Sequence, residues 1–351
     1  MRRAAIAAVL LGLTALVCPG VASATANEVP EPVDRCVVSD PRLDEVSGLA
    51  ADDQRWYAVN DGGSRLEVYV LGRDCAVQDV ITNDTNPYDV EDLALATDGT
   101  LWLADTGDNR KVRETVALHE LGQDGSATLY RLTYPDRAHD AEALLLGADG
   151  VPYIVTKSGL GSSGIYRPAE ELTSPGPTPL ERVGSVQFTP TSTPGGPISR
   201  VIGSVTVTGG AVSADGRVVA LRTYTDAYLY PAPDGDVLAA LARDPVRVPL
   251  PNEQQGEAIA FEPDGALLSA SEGTNQPLRA VEAAEELAGK AATSASRSGA
   301  EQRETGGTGP EGDAAARSDD SGLATGPALL IAIGIALLLA VGFGRWRRRS
   351  R

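Results

Sequence analysis

Histidine occurs twice and cysteine three times in 351 residues, so the chain has no clustered Cys/His set with which to bind zinc. It has no Gly-x-Ser-x-Gly turn, and His119 falls in a strand pattern, outside the cluster of polar residues developed below. A serine-hydrolase triad therefore has no support. Lysine is scarce, and 48 acids against 30 Lys and Arg leave a net charge of −18. Phosphate neutralisation needs clustered cations, which excludes nucleic-acid binding. An acidic surface fits solubility or cation binding. Large apolar residues are almost missing after Leu287 in the segment Ala283–Thr325, which is rich in Ala, Gly, Ser, Glu and Arg. Such a segment cannot bury enough surface to fold and reads as a flexible stalk (283–325), after a short helix over Glu282–Leu287.

Both ends carry targeting signals. Arg2 and Arg3, an apolar core and Ala22-Ser23-Ala24 read as a secretory signal peptide, residues 1–24. Gly326–Gly344 carries no charge and is long enough to cross a hydrocarbon core of about 30 Å as a helix. Arg345, Arg347, Arg348, Arg349 and Arg351 follow it in a basic tail (345–351), and basic residues stay on the cytoplasmic side. The expectation is a single-pass protein of the cell membrane with its N-terminal part outside, and a folded ectodomain over residues 28–282. The mature chain keeps Cys36 and Cys75, and an isolated pair outside the cell is expected to form a disulfide.

The ectodomain repeats. ATDGTLWLAD (Ala96–Asp105), GADGVPYIVT (Gly147–Thr156), SADGRVVALR (Ser213–Arg222) and EPDGALLSAS (Glu262–Ser271) each place an Asp-Gly turn between two apolar runs, a strong local hairpin signal. A fifth copy, LAADDQRWYAVND (Leu49–Asp61), has Asp52-Asp53-Gln54 at its turn. Further strands follow each hairpin, such as LEVYVL (Leu66–Leu71) and ATLYRLTY (Ala127–Tyr134). Four antiparallel strands per unit predict an all-β fold, a β-propeller of five blades, with six as the alternative because Thr189–Gly203 lengthens one spacing. The last copy runs out after three strands, so Asp34–Asp40 is expected to supply the missing outer strand and close the ring. Cys36 would then lie on the closing strand and Cys75 at the outer strand of the first blade.

Seven residues before each turn aspartate stand Glu45, Glu91, Glu142, Thr208 and Glu257. Seven to nine residues after it come polar pairs that include Asp61, Asp105, Lys157, Arg222 and Glu272. The two ends of a hairpin share one edge, and the first strand of each blade lines the axis. The prediction is therefore an acidic cluster of Glu45, Asp61, Glu91, Asp105, Glu142, Glu257 and Glu272 at the channel mouth. Lys157 and Arg222 are expected among these acids and His139 at the rim. Three readings stay open: a wet structural channel with ion pairs, a site for a hard divalent cation such as Ca²⁺, or crowded carboxylates acting as acid and base.

The starts EVSGLA, DVEDLAL, DAEALLL and GEAIAF, with VNDGG, ADTGDN, VTKSG, LRTYTDAY and SASEG, resemble a broad group of exported bacterial propellers. The group includes phytase-like and esterase-like members, and the motifs look like a membrane-anchored branch of it. Phytase-type members use calcium to engage phosphorylated substrates. The chain departs from them in lacking a rich Lys/Arg set for phosphate and in having fewer blades. The resemblance thus implies calcium rather than phytase activity. The function expected is a membrane-tethered binding or scaffold module, with a calcium-dependent hydrolase of phosphorylated or ester substrates as the alternative.

Overall fold

The computed structural model describes residues 29–293. The expected leader, most of the stalk, the apolar span at 326–344 and the basic tail lie outside the described residues. Among those described, no helix is long and apolar enough to cross a membrane.

The Asp-Gly hairpins form as the residues demand. Gly99, Gly150, Gly216 and Gly265 take φ values of 89, 79, 72 and 85°, a region that costs glycine little. The turn aspartates accept amides two residues on, as Asp98 does from Thr100 at 2.9 Å. Each hairpin opens a four-stranded antiparallel unit. The first unit holds β2 (Val46–Ala51), β3 (Trp56–Asn60), β4 (Leu66–Leu71) and β5 (Val77–Asn83). Next come β6 (Val90–Leu95), β7 (Leu101–Asp105), β8 (Val116–Leu121) and β9 (Ala127–Thr133), then β10 (Ala141–Leu146), β11 (Pro152–Thr156), β12 (Ser162–Pro168) and β13 (Thr178–Gln187). A short parallel pairing of β13 with β9, through Thr178 and Leu132, joins these two into one eight-stranded sheet. After them come β14 (Val207–Val212), β15 (Val218–Thr223), β16 (Asp226–Pro231) and β17 (Val246–Pro249). β18 (Gly256–Phe261), β19 (Leu267–Ser271) and β20 (Gln276–Val281) complete the order, with β1 (Val33–Val38) paired antiparallel on β20. Strands β2, β6, β10, β14 and β18 pack against one another in succession, and β18 returns to β2. The chain is a β-propeller. The long spacing before β14 holds a loop and the one-turn helix α1 (Arg200–Gly203).

Apolar faces of neighbouring units close on each other. Val59, Leu66 and Val68 of the first meet Leu93, Leu101 and Leu103 of the second, and each fully buried side chain of this kind contributes roughly 1.5–3 kcal/mol. Residues 284–293 form a helix whose Ala284 and Ala288 pack on Val218, Ile259 and Leu267. The helix expected to end at Leu287 thus runs on, because alanine can bury a helix face that has no large apolar residue.

Every first strand carries an irregularity at the same place. Register against the second strand shifts between Val46 and Gly48, Val90 and Asp92, Ala141 and Ala143, Val207 and Gly209, and Gly256 and Ala258. The extra residues are Ser47, Glu91, Glu142, Thr208 and Glu257. A β-bulge re-aims the side chain it carries, so these five positions are set apart from the ladder.

Cys36 and Cys75 form a disulfide with a Cα–Cα distance of 5.8 Å. Cys36 lies on β1, as expected. Cys75 lies in the turn leading into β5, the outer strand of the first unit. The bridge fastens the closing strand to the first unit. With a sequence separation of 39, reduction is expected to lower the unfolding free energy by about 3–4 kcal/mol in the chain-entropy account. Urea unfolding with and without reductant measures this, and coincident curves would contradict it.

Candidate metal centre at the channel mouth

Parity along the second strands decides which polar residues reach the axis. Asn60, Asp105, Thr156, Thr223 and Ser271 pair opposite the first-strand residue that precedes the bulge. The next residues, Asp61, Thr106, Lys157, Tyr224 and Glu272, continue from there to the mouth. A shift of one residue moves a side chain to the opposite face, and Asp105 lies one residue short. It sits instead between the first two units. Its Oδ1 accepts from Arg113 at 2.9 Å and from the Asp89 amide at 2.9 Å. Its Oδ2 lies 3.2 Å from His119 Nε2 and accepts the Tyr88 amide at 3.1 Å. Burial works to raise this acid, but His119, Arg113 and the two amides hold it down to about 2. Asp105 is therefore a brace for the Tyr88–Asp89 loop rather than a member of the acidic cluster.

The cluster itself has two overlapping halves. Carboxylate oxygens of Asp61, Asp89 and Glu91 lie within 4.8 Å of one another, as do those of Glu91, Asp140 and Glu142. Glu91 belongs to both. Glu91, Asp140 and Glu142 are buried, while Asp61 and Asp89 are half-buried. Glu142 Oε1 accepts from the Lys157 ammonium, which lies 5.5 Å from the centre of the Tyr224 ring. Glu142 Oε2 is buried and has no hydrogen-bond partner. Asp140 accepts the Asp108 amide at 2.8 Å. Gly107 faces Glu91 and Asp89 so closely that a Cβ there would strike both carboxylates.

Burial is the main cause that raises Asp61, Asp89, Glu91, Glu142, Glu257 and Glu272. It takes Asp89 to about 7, helped by its hydrogen bond with Asp61 and that neighbour's charge. Glu142 is pushed up to about 8 even against the pull of Lys157. Burial also raises Glu91 and Glu257, with the charge of Glu142 adding to it in each. Asp61 and Glu272 are raised as well, again first by burial. Although burial opposes it, the charges of Glu142 and Glu257 keep Lys157 protonated.

Two further expectations are corrected. The residue of the first unit that matches Glu91 is Ser47, not Glu45, because the turn aligns on Gln54 rather than Asp52. Glu45 matches Asp89 and Asp140 and is exposed. Arg222 is fully buried and pairs with Glu253 rather than with a mouth acid. Its Nη2 donates to Glu253 at 2.5 Å and its Nη1 to the carbonyls of Ala258 and Ala270 at 3.0 and 3.2 Å. His139 faces Asp136 and the Tyr166 hydroxyl, at 3.0 and 2.9 Å. Asp89 and Asp140 were missed. Their signal was present as Asp-x-Glu in DVEDLAL and DAEALLL, where the Asp stands just before the strand and the Glu is its second residue.

No protein-family model and no curated protein matches the chain. It is similar to a solved gluconolactonase from Xanthomonas campestris at 17% identity, over 72% of this chain and 86% of that one, with a TM-score of 0.39. Glutaminyl cyclase from Myxococcus xanthus gives 13% identity, 72% and 97% coverage and a TM-score of 0.41. Virginiamycin B lyase from Staphylococcus aureus gives 12% identity, 69% and 67% coverage and 0.35. None of these likenesses bears on the site. The assignment of the fold rests on the strand order itself.

Oxygen donors without imidazole or thiolate suit a hard divalent ion, and the unpartnered Glu142 Oε2 offers a free ligand position. Without an ion the acids take up protons on folding, since their folded pKa values lie above the unfolded ones. Stability then falls as pH rises from the unfolded range near 4 through about 7 for Asp89 and about 8 for Glu142. In EDTA the urea midpoint is expected to be higher at pH 5 than at pH 8.5, and equal midpoints would contradict the crowding.

Proposed function

We propose that the protein is an exported, membrane-tethered propeller that binds a divalent cation, Ca²⁺ foremost, at its channel mouth. Glu91, Asp140 and Glu142 are the deep ligands, and Asp61 and Asp89 complete the set from the solvent side. One observation carries the reading: buried carboxylates converge with a single ammonium among them, whereas elsewhere the same fold pairs a buried acid fully. Glu253 is held by two guanidiniums, Arg222 and Arg279, and by the Ser269 hydroxyl. The tether rests on the apolar span and its arginines in the sequence.

A second reading is favoured by Asp89, whose pKa near 7 suits proton transfer at neutral pH. The protein would then hydrolyse an ester or phosphorylated substrate held at the same mouth. Asp89→Asn would abolish turnover in that case.

Ca²⁺ at millimolar concentration is expected to raise the melting temperature by several degrees over EDTA, since a ligand of the native state stabilises it. Glu91→Gln removes the carboxylate common to both halves and is expected to weaken Ca²⁺ at least ten-fold in isothermal titration. Superposed melting curves in Ca²⁺ and EDTA would end the cation reading.

A further inference from the structure

Large apolar side chains exposed to solvent are concentrated at one end of the ring. Tyr88, Val112, Leu160, Ile198, Val201 and Ile202 are exposed, Leu160 at 96% and Tyr88 at 71%. All six lie on connections at the mouth end: the β5–β6, β7–β8, β11–β12 and β13–β14 loops. Among the described residues, the other exposed large apolar side chains, Val33 and Val37, are on β1. Exposed apolar groups gathered on one face mark a surface that is covered in use.

The two halves of this rim flank the acids. Ile202 lies against Gly159, next to Leu160, and Tyr224 packs beside Gly203, so that half continues through Tyr224 to Lys157. Tyr88 precedes Asp89 on the other side. Between them stand Glu45, Asp61 and Glu272. After burial, the charges of Glu272 and Glu45 raise Asp61, and that of Glu45 raises Glu272; none of the three forms an ion pair among the described residues. Glu142 Oε2 lies below them, buried and unpartnered.

We propose that the mouth face docks a segment of a partner protein that presents a lysine or arginine flanked by apolar residues. The basic group would meet the outer acids, and its neighbours would cover the rim. Lys157 shows how the mouth holds such a group: an ammonium paired with a carboxylate and set over a tyrosine ring. Charge argues against other occupants. A second copy would bring its own acidic mouth, and a phospholipid surface is anionic. The described chain also leaves from the far end, where Glu285 of the C-terminal helix lies beside the Gly265 turn. The proposal shares Asp61 with the ion site but rests on Glu45, Glu272 and the rim, so it goes beyond the deep ion and can fail separately from it.

The test uses the full chain in detergent and the fluorescein-labelled peptide Gly-Leu-Val-Lys-Phe-Leu-amide, read by anisotropy at 150 mM salt. Binding at sub-millimolar concentration is expected, at least ten-fold weaker when the lysine is acetylated. The rim variant Val201→Asp/Ile202→Asp is expected to lose at least five-fold, with melting temperature and Ca²⁺ titration unchanged. Absence of binding at 1 mM overturns the proposal. So does equal binding of the acetylated peptide, or rim-dependent binding to phosphatidylglycerol vesicles in place of the peptide. Loss of Ca²⁺ binding with peptide binding intact would remove only the ion.

Discussion

The first strand of a propeller unit has one edge with no partner strand, and the mouth is built from the way that edge is satisfied. Buried backbone groups need partners. Asp92 supplies acceptors at the centre, taking the Leu93 and Leu144 amides at 2.8 Å and the Gly210 amide at 3.1 Å, and so ties β6, β10 and β14 together. Hydroxyls supply donors around it. Ser47 reaches the Glu91 carbonyl at 2.5 Å, Thr106 that of Ala141 at 2.7 Å and Thr208 that of Gly256 at 2.8 Å. Gly48 and Gly209 let the strands come this close, since a Cβ at either would strike the next strand's backbone. With the edges tied, the bulge residues are free of the ladder and point together. Where they are Ser or Thr they tie strands, and where they are Glu they load the mouth with charge.

That load is selective. A buried carboxylate without partners costs several kcal/mol, and nearby like charges add to it. The fold meets this cost in full elsewhere. Glu253 is held ionised against its burial by Arg222 and Arg279. Asp226 accepts from Thr191, Thr193 and Thr225 and pairs with Arg247. Among the described mouth acids, only Glu142 forms an ion pair, with Lys157, and burial raises Asp61, Asp89, Glu91, Glu142, Glu257 and Glu272 instead. Perturbed carboxylates that share a cleft are a mark of function, and the contrast within one molecule separates them from acids that only hold the fold together.

Local chemistry made much of this legible in the sequence. Asp-Gly turns set the hairpins, their spacing set the four-stranded units, and Glu91, Glu142 and Glu257 could be found by counting back from the turn. Counting failed in the first unit because Asp52-Asp53-Gln54 offers two aspartates ahead of the true turn position. It failed at Asp105 because one residue of parity moves a side chain from the axis to the space between units. Arg222, Glu253 and Asp92 were out of reach for another reason. Their partners lie far along the chain, as Gly210 does from Asp92, and only the closed ring brings them together.

The central claim is that the crowded acids of the mouth are a cation site rather than a wet structural channel. Anomalous diffraction from crystals grown with Mn²⁺ tests it most directly. The account predicts a peak bonded to oxygens of Glu91, Asp140 and Glu142 at about 2.1–2.5 Å, with the Lys157 ammonium displaced from Glu142. Crystals whose mouth holds only water, with Lys157 still on Glu142 at millimolar Mn²⁺, would contradict it.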